Sequence, residues 1–424
     1  MTMTNYKSEL MKTLTGRGFL YQCTDEKALD ALAAKECVTG YIGFDCTAPS
    51  LHVGSLVQIM MLRILQKSGG RPIVLLGGGT TKIGDPSDKD KSRPILTPEK
   101  IEENKNGIKR VFAKFLDFEG SNAAIMVDNA DWLDGLGYIE FLRDIGKHFT
   151  VNKMIALESV KRRLENEQPM TFLEFNYTLL QSYDYLELNR RHGCRLQLGG
   201  SDQWGNILGG ADLTRRLEGA EVYGFTTPLI TTASGGKMGK TAEGARWLNA
   251  DESFGKQFSL SPYDYWQFWR NTEDADVGKF LRLFTDLPLG EIAALEALEG
   301  ADINRAKVKL ANEATTLLHG AKAAQNAEAT AKKTFEQGGS AAGLPTFEIP
   351  KADLVTTSLV DAGILTELCA SKGEARRHIK AGALRLNDVQ VKDMTAALSL
   401  SDLNDDGVIK ISVGKKKHAL IKPI

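Results

Sequence analysis

Residues 40–65 read GYIGFDCTAPSLHVGSLVQIMMLRIL, and the hydrophobic pattern changes part-way along. GYIGFD has the character of a β-strand. After a turn, SLVQIMMLRILQKSGG continues as a long apolar helix that stops at Gly69 and Gly70. RPIVLL follows as a second buried strand, which completes a βαβ unit with an expected right-handed crossover. The strand-to-helix junction holds His52, Val53, Gly54 and Ser55. A helix N-terminus just past a parallel strand offers unpaired backbone N–H groups and a positive dipole end, so the junction suits an anion such as phosphate. Taken alone, an imidazole at such a turn is more often ordinary structure than a ligand contact.

Working outward, the βαβ pattern persists. Short apolar strands at AAIMVDN, RLQLGG and TTPLIT alternate with helices to about residue 235, which predicts an α/β domain with a doubly wound parallel sheet. From about residue 253 to 335 the pattern is helical. EQGGSAAGLPTFEIP has linker composition, and residues 351–424 form a distinct tail with 12 Lys+Arg against 9 Asp+Glu. The expected division is therefore 1–247, 248–335, a linker at 336–350, and 351–424. The chain has 424 residues, 42% hydrophobic and 25% charged, with a net charge of −1, so attraction to nucleic acid must come from local basic faces. Five scattered cysteines without a CxxC argue against a disulfide framework or a cysteine-rich metal site. With no signal-like or membrane-spanning apolar run, a cytoplasmic protein is expected.

Three further stretches carry chemistry. GGKMGKT (residues 235–241) falls short of a P-loop, because Ser234 stands where the first glycine belongs. Two lysines, Lys237 and Lys240, remain on a glycine loop, as a clamp on phosphate charge or as a solvated basic turn. QLGGSDQWGN (197–206) sets Gly200, Asp202 and Gln203 behind a strand, where they could bond ligand hydroxyls and amines or cap a helix. FNYTLLQSYDY (175–185) spaces Tyr177, Gln181 and Asp184 by four and then three, on one helix face that could line a polar pocket or face solvent.

In combination and order these motifs resemble the class I aminoacyl-tRNA synthetases, and among them the bacterial-type tyrosyl-tRNA synthetases. YIGFDCTAPSLHVGS is similar to the HIGH region, KMGKT to the KMSKS loop, GGSDQWGN to the nucleotide-site signature, NYTLLQSYD to the tyrosine-pocket helix, and GDPSDKDKSR to the mobile lysine/arginine loop. The resemblance implies a Rossmann-like catalytic domain, then a helical domain and a small α+β RNA-binding domain. It implies ATP-dependent attachment of L-tyrosine to tRNA(Tyr), with magnesium accompanying ATP, in a homodimer. By position, Tyr41 and Asp184 would bond the substrate phenol, while Asp85, Tyr177 and Gln181 would hold its ammonium and Gln203 would lie beside its carboxylate. Thr47 and His52 would contact the phosphates, Gly54 the adenine and Asp202 the ribose; Gly43, Asp45, Ser55 and Gly200 complete the nucleotide site. Lys89, Arg93, Lys237 and Lys240 would close over pyrophosphate.

Three departures stand out: Ser55 replaces the second histidine of HIGH, Gly239 the central serine of KMSKS, and Cys46 the usual proline. In the tail, SKGEARRHIKAGALRLNDVQV resembles a small RNA-binding domain also found in a ribosomal protein and in pseudouridine synthases. There Ser371 and Glu374 suggest a capping box, Arg376, Arg377 and Lys380 would meet RNA phosphates, and Asn387-Asp388 would turn a hairpin. The rival readings are a tryptophanyl enzyme, or an RNA-binding protein on the same fold that no longer activates an amino acid. A nicotinamide dehydrogenase is disfavoured, since no GxGxxG opens a helix.

Overall fold

The computed structural model describes residues 5–85, 96–236, 238, 240–241, 244–250, 252–336, 344–404, 407–414 and 417–424. They form two compact units. The first contains the sheet domain to Leu260 together with the helices between residues 271 and 318. The second joins residues 261–270 to everything after 318.

In the first unit, strands β1 (Gln22–Cys23), β2 (Thr39–Asp45), β3 (Arg71–Gly77), β4 (Ile125–Asp128), β5 (Leu196–Gly200) and β6 (Tyr223–Thr227) make one sheet in the order β1-β6-β5-β2-β3-β4. Strands β2 to β6 are parallel. The two-residue β1 adds an antiparallel edge that the sequence pattern does not announce. TTPLIT is not the strand expected there. The strand lies earlier, at Tyr223–Thr227, and stops before Pro228, which has no N–H to offer a ladder. Helix Leu56–Lys67 covers β2 and β3 and buries Leu56, Ile59, Met60, Met61, Leu62 and Leu65.

Chain order reverses between β2 and β5, because β3 and β4 lie on one side of β2 while β5 and β6 lie on the other. Strands β2 and β3 pair along all seven residues, but β2 pairs with β5 only at Gly40↔Leu196 and Tyr41↔Gln197. Beyond Tyr41 the two strands part. A fork at the carboxyl ends of parallel strands, at a topological switch point, is where α/β sheets hold ligands.

The second unit pairs helices Pro262–Arg270 and Ala321–Glu336, with Tyr265 set edge-on between Trp269 and His319 at 5.9 and 5.2 Å between ring centres. Its sheet runs β11-β10-β12-β13-β9, from β9 (Thr346–Ile349), β10 (Leu384–Leu386), β11 (Val389–Gln390), β12 (Ile409–Val413) and β13 (Lys417–Pro423). Leu359, Ala375, Ile379, Leu384, Ile409, Ile411 and Ile421 close its core. Asn387 and Asp388 turn the β10–β11 hairpin at φ 46° and 66°, the left-handed conformation such a two-residue turn needs. Ser371 caps helix Lys372–Lys380, but Glu374 accepts from the N–H of Ala370 at 2.7 Å, one residue before the partner a capping box requires.

Candidate active site

A cavity of about 490 Å³ opens in the fork between β2 and β5. Tyr41, Gly43 and Asp45 of β2 line it, as do Thr47, His52, Gly54 and Ser55 from the junction that follows. Asp85, then Tyr177, Gln181 and Asp184 from helix Tyr177–His192, and Gly200, Asp202 and Gln203 after β5 complete the set. The polar stripe on the helix therefore faces a cavity, not solvent. Gln203 stands at the N-cap of helix Trp204–Glu218 but makes no side-chain cap. Instead, the Gln203 amide donates to Asp85 at 3.0 Å and Asp202 at 2.9 Å and accepts from Gln181 at 3.2 Å. Lys89, Arg93 and Lys237 lie outside the described residues, as does the side chain of Lys240, whose backbone opens strand β7 (Lys240–Thr241) against β8 (Gly244–Ala245).

At the closed end, Asp184 is 2% exposed and both its oxygens are occupied. Oδ1 accepts from the Trp132 indole at 2.8 Å and Oδ2 from the Asn129 amide at 3.0 Å. Burial outweighs these two bonds and pushes the carboxyl up to about 7. Tyr41 is fully buried and its hydroxyl has no hydrogen-bond partner among the described residues. Burial, then the nearby charge of Asp184, hold that phenol well above the usual tyrosine range. A buried hydroxyl without a partner is costly, and one facing a ligand cavity beside a carboxylate is a place prepared for a polar group from outside.

Asn129 and Trp132 were not singled out from the sequence. They follow the carboxyl end of β4, where Asn129 also accepts from Gly79 N at 2.8 Å and donates to Thr80 at 3.1 Å. A signal existed in the NADW that follows β4, the third parallel strand in the chain, since such strand ends carry functional side chains. Thr80 in turn donates to Asp45 at 3.0 Å, and the Tyr177 hydroxyl reaches the same oxygen at 3.4 Å.

At the open end, the His52 backbone bridges to Trp247, and Val53 N donates to Arg246 O at 2.8 Å. Glycine at position 54 is dictated by space. A Cβ there would sit 2.7 Å from the His52 ring and 2.9 Å from the carbonyl of Met238. The HxG junction and the KMGKT loop, more than 180 residues apart in the chain, thus meet at one glycine. Cys46 has its own reason. Its N–H donates to Thr81 Oγ1 at 2.7 Å, a bond proline cannot make, while burial drives the thiol up to about 12 and leaves it inert.

The family model for tRNA synthetases class I (W and Y) matches residues 34–336, and that for the tyrosine–tRNA ligase SYY-like C-terminal domain matches 335–421. This chain belongs to the class I tRNA synthetases of the tryptophan and tyrosine group. Among relatives of this synthetase, the tyrosine–tRNA ligases of Rhodospirillum rubrum and of Caulobacter sp. strain K31 are each 59% identical to it, over 423 and 426 residues, and each match covers 99% of both chains. A truncated mitochondrial tyrosyl-tRNA synthetase from Aspergillus nidulans matches 77% of the structure and 94% of its own chain, at TM-score 0.68 and 28% identity. The synthetase fold expected from the sequence is therefore the fold present, with a C-terminal domain of the tyrosine type. Among the described residues no group of three His, Cys, Asp or Glu side chains is placed to hold a metal ion, and no helix is long and apolar enough to cross a membrane.

Proposed function

We propose that this synthetase activates L-tyrosine with ATP and transfers it to tRNA(Tyr), with Tyr41 and Asp184 receiving the substrate phenol. The observation that carries the reading is the partnerless, fully buried Tyr41 hydroxyl beside a carboxylate fixed by two donors. A phenol would donate to Asp184 and accept from Tyr41, whereas phenylalanine would leave both unpaired, a discrimination for which tyrosyl-tRNA synthetases are themselves the standing example. Asp85, Tyr177 and Gln181 hold the ammonium, and Gln203, tied to Asp85 and Gln181, lies beside the carboxylate.

In the first step the tyrosine carboxylate attacks the α-phosphorus of ATP in line, forming tyrosyl-adenylate and expelling pyrophosphate. The terminal ribose hydroxyl of tRNA then attacks the activated carbonyl and releases AMP. The residues supply position and charge. Thr47 and His52 bind the phosphates as negative charge moves onto the leaving group, joined by Lys89, Arg93, Lys237 and Lys240. Gly54 lies against the adenine, Ser55 and Asp202 bond the ribose, and Gly43, Asp45 and Gly200 border the nucleotide. Magnesium would accompany the ATP phosphates and supply neutralising charge there, as suits an ion that keeps much of its water and needs no protein cage.

Residues 351–424 bind tRNA through Arg376, Arg377 and Lys380. Of the proposed division into 1–247, 248–335, a linker and 351–424, the boundary near residue 335 has the support of family matches that meet at residues 335–336. A cytoplasmic homodimer is also proposed. The dimer has its support in the stretch between residues 138 and 173, which exposes Tyr138, Ile139, Val151, Leu164 and Phe172. The test is ATP–pyrophosphate exchange without tRNA, comparing tyrosine, tryptophan and phenylalanine. Exchange with tyrosine alone is expected; exchange with none of them would return the chain to a purely RNA-binding role.

A further inference from the structure

We infer that Arg191 is a positioning residue for recognition of the phenol, acting through Trp132 on Asp184. Asp184, Glu187 and Arg191 share one face of helix Tyr177–His192, and from Asp184 to Arg191 the helix rises about 10.5 Å over seven residues. Trp132 spans that interval. Its indole N–H donates to Asp184 Oδ1 at 2.8 Å, while the Arg191 guanidinium carbon lies 5.2 Å from the ring centre, a cation–π stack.

The guanidinium is itself fixed. Its Nε donates to Glu187 Oε2 at 2.8 Å, and Glu187, only 6% exposed, also accepts from Arg190 at 3.1 Å. Burial alone would raise the Glu187 carboxyl. Hydrogen bonds from Arg191, Arg190 and Tyr183 overcome that and hold it below the usual carboxylate range, so the anchor stays charged. Arg191 is half exposed and does not border the cavity, whereas Trp132 is buried. The arginine therefore works as a cover that pins the indole against the carboxylate. An ordinary surface ion pair with Glu187 would have no consequence for substrate choice.

The inference rests on Asp184 being the phenol's partner, so the experiment carries D184A beside R191Q. In tyrosine-dependent ATP–pyrophosphate exchange, R191Q should raise the KM for tyrosine about two- to fivefold, with the KM for ATP unchanged. Phenylalanine lacks the hydroxyl, so its inhibition constant as a competitor of tyrosine should change little, and R191K should restore most of the tyrosine effect. In a W132L background R191Q should add nothing. Equal losses for tyrosine and phenylalanine, or the same loss with and without Trp132, would overturn the inference. So would an unchanged tyrosine KM in R191Q where D184A abolishes exchange. Normal exchange in D184A would instead remove the phenol reading, and the inference with it.

Discussion

The two ends of the cavity are built by opposite means. At the closed end, polar groups taken out of water are held by bonds from neighbouring elements: Asn129 and Trp132 on Asp184, beside a Tyr41 hydroxyl that has no partner among the described residues. At the open end, fit depends on space. Gly54 lets the His52 ring and the Met238 carbonyl approach, and backbone bonds from Val53 to Arg246 and from Leu248 to Leu51 hold the turn. Specificity belongs where an unpaired group is expensive, and turnover where charge moves and ligands must leave. Substitutions at the closed end should therefore change which amino acid is chosen, and those at the open end how fast ATP reacts.

The largest effect is expected for D184A. It removes the carboxylate and strands two buried donors, so tyrosine-dependent exchange should fall about 10³-fold or more in kcat/KM, with the far-ultraviolet circular dichroism unchanged. H52A should lower the rate of adenylate formation about 10²-fold while tyrosine binding, measured by equilibrium dialysis, stays the same. Next comes G54A. The added methyl meets the His52 ring and the Met238 carbonyl, and the overpacking should cost about tenfold in kcat/KM for ATP in steady-state exchange, without altering the KM for tyrosine.

The comparison sharpens with pH. Asp184 titrates near 7 in the folded chain, above its ordinary value, so the folded protein holds that proton longer than the unfolded chain does. Its contribution to stability is full at acid pH and is lost as pH rises through about 7. Phenol binding needs the ionised acceptor and runs the other way: tyrosine affinity should rise by up to about tenfold between about pH 6 and 8, with phenylalanine affinity flat. Isothermal titration at several pH values separates the two. Among the substitutions inside the cavity the smallest effect belongs to Y41F, about threefold to tenfold weaker tyrosine binding by the same titration. The free protein should melt no lower than the original, because the lost hydroxyl had no partner.

Much of this was legible in the chain. The strand–turn–helix at residues 40–65, the stripe of Tyr177, Gln181 and Asp184, and the turn at Gly200 to Gln203 each carry local periodicity or turn chemistry, and all of them border the cavity. What stayed hidden was relational. The antiparallel β1 is two residues long, too short to show a period. TTPLIT has strand composition, yet its proline ends the strand that precedes it. Asn129, Trp132 and Arg191 carry no motif, and their meaning arises from a partner 52 or more residues away.

By itself the sequence determined the alternation of parallel strands and helices, the family, and which residue types stand at the strand ends, because spacing and turn chemistry act between neighbours in the chain. Only the tertiary structure decided that β2 and β5 part after Tyr41, that Gly54 meets Met238, and that Asp184 is buried with both oxygens occupied while Tyr41 is left without a partner. The cost of a buried group depends on what surrounds it in space, and one-dimensional pattern does not record that.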